Sequence, residues 1–134
     1  MNAPSKLDLY DDETMPKVRV ELDQKIPNAA TFSFLKEDHT LGNLVRSRLL
    51  KDSAVLFAGY RVPHPLNPIV EIKVQTTDVK SPVDAVKESL SALHREFDMM
   101  RQLFADQLSK ARLDVARSGL DRREGGTDQV EMDF

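Results

Sequence analysis

The chain contains no cysteine and no tryptophan among its 134 residues. Without cysteine, disulfide frameworks and thiolate metal sites are excluded, and the composition fits a reducing compartment. No segment approaches the roughly 18 consecutive apolar residues of a membrane span. Residues 1–5 lack the charged start and the apolar run of a signal peptide. We therefore expect neither membrane insertion nor secretion.

An excess of basic charge is also missing, since the formal net charge is -3. A domain that binds nucleic acid by itself usually carries a clear basic patch. The sequence therefore predicts little or no direct contact with DNA or RNA. The length fits one domain with a modest hydrophobic core.

Residues that carry chemistry are sparse. The three histidines, His39, His64 and His94, form no pair at i, i+3 or i+4 spacing, so we predict no metal site. The isolated glycines do not form a phosphate-binding loop, and the adjacent Glu37 and Asp38 are interpreted as helix-capping residues. We predict no catalytic residue and no cofactor.

What the chain does contain is a clear alternation of apolar and polar residues. Val18, Val20 and Leu22 alternate with charged residues, which predicts a half-buried strand. The same pattern predicts a second strand, a mostly apolar third strand and a regular fourth strand. The second strand is marked by Ala30, Phe32 and Phe34. The third covers residues 55–62, and the fourth is marked by Val70, Ile72 and Val74.

Two helices interrupt this alternation. The first begins at Asp38 or Thr40, since both are good N-caps, and Leu41, Leu44, Val45 and Leu49 follow helical spacing along it.

The second helix begins at Ser81, with proline at the first helical position and Asp84 at the capping-box position. It is expected to end near Gly119. One apolar position recurs at alternating spacings of three and four, which defines a heptad seam. The seam consists of Val83, Val86, Leu90, Leu93, Phe97, Met100 and Phe104.

The order strand-strand-helix-strand-strand-helix predicts a two-layer α+β domain, in which a four-stranded sheet carries both helices on one face. We expect residues 1–16 to be a flexible arm, residues 17–117 the folded domain, and residues 118–134 a disordered tail. The long helix has two interpretations. It either covers its own sheet with a frayed overhang or packs against helices of another chain, and its length and wide apolar band favour the second interpretation.

Several segments resemble one family of proteins. Residues 40–46 read TLGNLVR, and the longer block KEDHTLGN at residues 36–43 is typical of the small α-like subunits of eukaryotic and archaeal RNA polymerases. LLKD at residues 49–52 and VLFAGYRVPHPL at residues 55–66 are similar to the RNA polymerase II version, the eleventh subunit. The resemblance covers roughly residues 1–110.

The resemblance implies a non-catalytic core subunit of DNA-directed RNA polymerase II in the nucleus. Such a subunit pairs as an obligate heterodimer with the larger α-like (third) subunit, through both helices, and the pair is an assembly platform for the two large catalytic subunits. Residues 17–117 would be the α-like dimerisation domain, which also meets the second-largest subunit.

The resemblance also assigns roles to individual residues. The partner interface would consist of Leu41, Leu44, Val45, Leu49, Val86, Leu90, Leu93, Phe97, Met100 and Phe104. The family signature, which would face the partner or a large subunit, matches Glu37, Asp38, His39, Thr40, Gly42, Asn43 and Arg46. Two alternatives stay open at this point: the small α-like subunit shared by polymerases I and III, and a free-standing nucleic-acid-binding module.

Overall fold

The computed structural model describes residues 14–124, and it describes side-chain exposure as far as Gly119. The elements follow the predicted order and confirm the predicted fold class. They are β1 (Val18–Leu22), β2 (Ala29–Leu35), α1 (His39–Leu49), β3 (Val55–Arg61), β4 (Ile69–Thr76) and α2 (Pro82–Glu124).

The four strands form one sheet in the order β1-β2-β4-β3, and each neighbouring pair is antiparallel. Directly opposite residues of an antiparallel pair point to the same face of the sheet. Phe32 on β2 lies opposite Ile72 on β4 and opposite Val20 on β1. The predicted alternation therefore places one apolar row across the sheet.

The turn between β1 and β2 is fixed by side chains as well as by the backbone. Asn28 has a φ of 53°, a left-handed conformation that asparagine tolerates better than most residues. Its side-chain amide donates to Asp78 Oδ1 at 2.6 Å, and its backbone carbonyl oxygen accepts from the backbone N–H of Thr76. The turn is thus tied to the end of β4.

The hydrophobic core lies on the face of the sheet that carries the helices. Helix α1 packs on β3 and β4, and Val45 and Leu49 of this helix are fully buried. The first turns of α2 contribute Ala85, Val86 and Leu93 to the same core cluster. Packing of this kind, rather than propensity alone, supplies most of the stability of such helices.

The prediction that β1 is half-buried is wrong. Val18, Val20 and Leu22 are 42%, 45% and 73% exposed, although they share a face with buried Phe34, Phe32 and Ala30. The reason is position, because β1 is an edge strand and α1 packs at the other end of the sheet. Alternation reports which side chains share a face, but it does not report whether an element covers that face.

The start of α2 is capped as predicted. The Ser81 hydroxyl accepts from the backbone N–H of Asp84 at 3.1 Å and donates to the Asp84 carboxylate at 2.7 Å. Immediately before it, the Lys80 ammonium bonds the carboxylates of Asp52 and Glu88. The bond to Asp52 and, to a smaller extent, the bond to Glu88 raise the pKa of Lys80. The bond between Lys80 and Asp52 also lowers the pKa of Asp52. Lys80 thereby joins the loop after α1 to the first turns of α2.

The predicted end of the second helix is wrong, since α2 continues through Gly119 to Glu124. Glycine in a helix interior costs about 1 kcal/mol relative to alanine, which is too little to stop a helix of this length. Part of the expected tail, residues 118–124, is therefore helical. Residues 1–13 of the expected arm and residues 125–134 of the expected tail lie outside the described residues. The described residues divide into two compact units, with the boundary between Leu93 and His94.

Candidate subunit interface

The signature segment forms the start of α1. Asp38 is the N-cap, and its carboxylate accepts from the backbone N–H of Thr40 at 2.9 Å, which decides between the two predicted caps. Before the cap, the backbone N–H of Glu37 donates to the carbonyl oxygen of Pro68, and the Glu37 carboxylate pairs with Lys17 at 2.9 Å. His39 and Thr40 are exposed. The bonds of Glu37 thus hold the segment before α1 in place, while His39 and Thr40 in the first turn of α1 are exposed to solvent.

Gly42 is buried against Tyr60 of β3. A Cβ atom at position 42 would lie 2.5 Å from Cδ2 and 2.9 Å from Cγ of the Tyr60 ring, which is closer than real Cβ atoms approach other atoms. Glycine is therefore required here for close approach of the helix to the sheet. Gly42 was named from the sequence as a signature residue, but Tyr60 was missed, because its role depends on the pairing of β3.

Tyr60 also organises the neighbouring signature side chains. Its hydroxyl lies 3.2 Å from His39 Nδ1, and the two rings meet edge-on with centroids 5.7 Å apart. The Arg46 guanidinium lies 5.8 Å from the centroid of the Tyr60 ring and donates from Nη2 to Asn43 Oδ1 at 2.9 Å. A cation over an aromatic face is attracted by the ring quadrupole. His39, Gly42 and Arg46 are therefore positioned by one tyrosine.

Arg46 Nε is shielded from solvent and has no hydrogen-bond partner among the described residues. Arg46 and Arg48 both lie on α1, and the sequence alone allows each to be either solvated or paired with a carboxylate of a partner. Both side chains are half-buried rather than fully solvated. The ring contact and the bond to Asn43 hold the Arg46 head group in one orientation, and a planar guanidinium held in this way is suited to carboxylate recognition.

A cavity of about 380 Å³ lies beside the signature segment. Residues 36–39 form one wall, and the proline-rich connection between β3 and β4 forms the other with Val62, Pro65, Asn67 and Pro68. His64 stabilises that connection, because its Nδ1 accepts from the backbone N–H of Leu66 at 3.1 Å. The concave surface therefore lies between the start of α1 and the connection from β3 to β4.

Four of the ten residues assigned to the partner interface are core residues of this chain. Val45 and Leu49 are 0% exposed, and Val86 and Leu93 are 4% and 7% exposed. Their side chains fill the space between the helices and the sheet, so they have little surface to offer a partner. Leu41 and Leu44 are partly buried against the core.

Val83 is partly buried against the core, whereas the seam residues Leu90, Phe97, Met100 and Phe104 are exposed. Leu90 is 36% exposed, and the values rise to 51% for Phe97, 62% for Met100 and 70% for Phe104. Met99 and Leu103 form a second exposed file beside them. We call Phe97, Met100 and Phe104 the apolar stripe of α2. Large apolar side chains at heptad spacing on a helix surface are typical of helix-helix interfaces.

The charged side chains of the same segment interact with one another. Asp98 pairs with Arg101 at 3.2 Å, three residues on, and lies 3.3 Å from Nε2 of His94, four residues back. Such i,i+3 and i,i+4 pairs stabilise an exposed helix face modestly. Residues 94–104 thus combine a self-paired polar face with an unpaired apolar stripe, which is the pattern of an interface helix.

In the part of the chain that the structure describes, no helix is long and apolar enough to cross a membrane.

An antiparallel sheet carrying a capped signature helix and a long helix with an exposed heptad stripe defines a dimerisation module. The sequence matches the model of the RNA polymerase Rpb3/Rpb11 dimerisation domain over residues 29–103. The chain belongs to this family.

Individual relatives agree with this assignment. The chain is 44% identical over 113 residues to DNA-directed RNA polymerase II subunit rpb11 of Dictyostelium discoideum, covering 84% of this chain and 94% of the relative. It is 46% identical over 107 residues to RNA polymerase II subunit RPB11 of Schizosaccharomyces pombe, covering 76% and 87%. The fold resembles DNA-directed RNA polymerase subunit L of Thermoplasma acidophilum, with a TM-score of 0.60, 22% identity, and coverage of 74% and 97%.

Proposed function

We propose that this chain is a non-catalytic core subunit of RNA polymerase II that pairs with the larger α-like (third) subunit in the nucleus. The pair would be the assembly platform for the two large catalytic subunits, including the second-largest subunit. The names of the relatives favour polymerase II over the subunit shared by polymerases I and III.

The observation that carries the proposal is the exposed apolar stripe of α2. Phe97, Met100 and Phe104 would contact water in the free chain, which is unfavourable by about 25 cal/mol for each Å² of apolar surface. Packing against helices of a partner removes this surface from water. The stripe also overlaps the part of the chain that matches a dimerisation domain.

The signature residues have a second role in this proposal. Their surface at the start of α1 is partly charged, and His39 also lines the concave surface beside it, whereas the α2 stripe is apolar. We assign the stripe to the α-like partner and the surface of His39, Asn43 and Arg46 to a large subunit. Arg46 then contributes a positioned cation for a carboxylate on that subunit.

The test is co-expression with the larger α-like subunit, followed by size-exclusion chromatography with light scattering. The wild-type chain should form a soluble 1:1 complex. Phe97→Asp should abolish it, because an unpaired charge buried in an apolar interface costs several kcal/mol. Arg95→Asp is a matched control, since Arg95 is exposed outside the seam, and it should leave the complex intact.

Circular dichroism of each free variant separates loss of pairing from loss of fold, since Phe97 is already exposed in the free chain. A wild-type chain that ignores the larger subunit would refute the proposed function. A complex that tolerates Phe97→Asp would mean that the stripe is not the contact surface.

A further inference from the structure

Helix α2 has two halves that differ in burial. In the first half, Ala85, Val86 and Leu93 belong to the core cluster. From His94 to Gly119 no residue is buried, and we call these residues the second half of α2. The boundary between the two compact units of the described residues falls at the same place, between Leu93 and His94. The first half is therefore held by packing in the core, whereas the second half buries no side chain.

The side-chain pairs of the second half do not replace this packing. Asp98 pairs with His94 and Arg101, but the side chains of His94 and Arg101 are 80% and 78% exposed. Exposed pairs of this kind add only a small stabilisation to a helix. Most of the stability of helices in proteins comes from packing of an apolar face. The apolar stripe of α2 is exposed, so the second half lacks that contribution.

The packed first half supplies the nucleus from which the second half grows. Starting a helix is unfavourable, but each further residue then adds one backbone hydrogen bond, with a propagation constant of only about 1–1.6 near 0 °C for good helix formers. Serine and glycine are poorer helix formers than alanine, and Ser109, Ser118 and Gly119 lie in the second half. Growth beyond Leu93 therefore gains little free energy, and the helical population falls with distance from Leu93.

We propose that the second half of α2 is a conditional helix, which is only partly populated in the free chain and becomes fully ordered on pairing. The structure shows this half in its helical state. The ordering step rests on the proposed function, whereas the weak helix of the free chain does not. Binding that orders a segment uses part of the interaction free energy for that ordering. Affinity for the larger α-like subunit therefore depends on helix propensity, including at positions that this subunit does not touch.

Amide hydrogen exchange of the free chain, followed by NMR, tests the weak helix. The chain is kept dilute enough to be monomeric by light scattering. Amides of residues 86–93 should exchange at least about a hundredfold more slowly than amides of residues 105–117, because the first half is released only when the core opens, whereas the second half opens locally. Equally slow exchange along the whole of α2 would overturn the proposal.

Two substitutions at Ser109 test the ordering step. Ser109 is exposed and lies about 140° around the helix from Phe104, away from the apolar stripe. The Kd of Ser109→Gly for the larger α-like subunit should exceed that of Ser109→Ala by about threefold to fivefold, because glycine disfavours the helix that pairing has to order. Ser91 is exposed on the same side of α2, about five turns earlier, within the first half. Ser91→Gly and Ser91→Ala are the matched control, and their Kd values should agree, since the first half is helical before pairing.

The outcomes separate this proposal from the proposed function. Equal Kd values for the two Ser109 variants, with the pair still forming, would refute the ordering step and leave the proposed function standing. A wild-type chain that does not pair with the larger α-like subunit would refute the proposed function and the ordering step together. The exchange measurement needs no partner, so in either case it decides whether the second half of α2 is weakly held in the free chain.

Discussion

At the scale of single residues, Gly42 and Tyr60 show how one missing side chain organises a surface. The close contact lets the Tyr60 ring reach His39 and the Arg46 guanidinium at once. A glycine early in a helix is visible in the sequence and predicts close approach of some group. Its neighbour is not visible, because it depends on the register in which β3 joins the sheet.

Gly42→Ala should destabilise the protein, although alanine is the better helix former. The new methyl group would overlap the Tyr60 ring, and overpacking of this kind costs about 1–3 kcal/mol. Gly119→Ala is a matched control, because nothing lies within 4 Å of its added Cβ, and it should stabilise α2 by up to about 1 kcal/mol. Urea unfolding of both variants measures the difference. An unchanged midpoint for Gly42→Ala would mean that the helix can shift without penalty.

Asp23 makes the stability of the sheet sensitive to acid. The Lys73 ammonium, bonded at 2.8 Å, lowers the pKa of Asp23 to about 2, helped by backbone N–H groups of Lys25 and Ile26. A carboxyl group whose pKa is depressed by folding stabilises the fold above its unfolded pKa near 3.8, and this contribution is lost as the pH falls toward 2. Asp23→Asn should therefore reduce stability at pH 7 and flatten the acid limb of a stability curve between about pH 4 and 2. Parallel acid limbs for the two proteins would contradict this assignment.

At the scale of elements, the helix starts were the most predictable features. Ser81, Pro82 and Asp84 specify the beginning of α2 by local chemistry alone, and the structure forms the predicted bonds. The end of α2 was not predictable in the same way. Gly119 is a weak local signal, and a long helix continues across it when the neighbouring residues favour helix.

Ser81→Ala should destabilise the protein by about 1 kcal/mol, the usual effect of removing an N-cap hydroxyl. Ser91→Ala is the control, because Ser91 is exposed within the helix and alanine should be neutral or slightly stabilising there. Thermal unfolding of both variants followed by circular dichroism at 222 nm compares them. Equal melting temperatures would show that the cap contributes nothing to α2.

For the strands, alternation predicts which side chains share a face but not whether that face is buried. Alternation correctly predicts that Val18, Val20 and Leu22 share one face, and the register confirms that this is the face of Phe32 and Phe34. It wrongly predicts that this face is half-buried within the chain. Burial depends on where the helices pack, and helix placement is a long-range property that no short pattern contains.

At the scale of the whole molecule, the heptad seam of α2 divides into two parts. Val86 and Leu93 belong to the core, whereas Phe97, Met100 and Phe104 are exposed. The sequence shows one continuous seam, since all these residues follow the same spacing. The burial of each position depends on three-dimensional packing, so the sequence could indicate an interface but could not assign each residue to it.

The larger α-like partner should therefore raise the stability of the chain as its concentration increases. A ligand that binds only the folded state at about 100 times its Kd adds roughly 2.7 kcal/mol. The denaturation midpoint of the chain, measured with a fluorophore attached to it, should shift upward as partner is added. Phe104→Asp should cancel the shift while leaving the unfolding of the free chain close to that of the wild type, because Phe104 is 70% exposed. A shift that persists in this variant would place the contact elsewhere.

The exposed apolar stripe also has a meaning for the cell. The apolar side chains of such a subunit are exposed before pairing and covered after it, so their exposure distinguishes an unpaired copy from a paired one. Chaperones and proteases act on exposed apolar surface, so we expect a surplus copy to be retained or degraded and an assembled copy to be left alone. Under the proposed function, we therefore expect the three side chains of the stripe both to hold the pair together and to keep the amounts of its subunits matched.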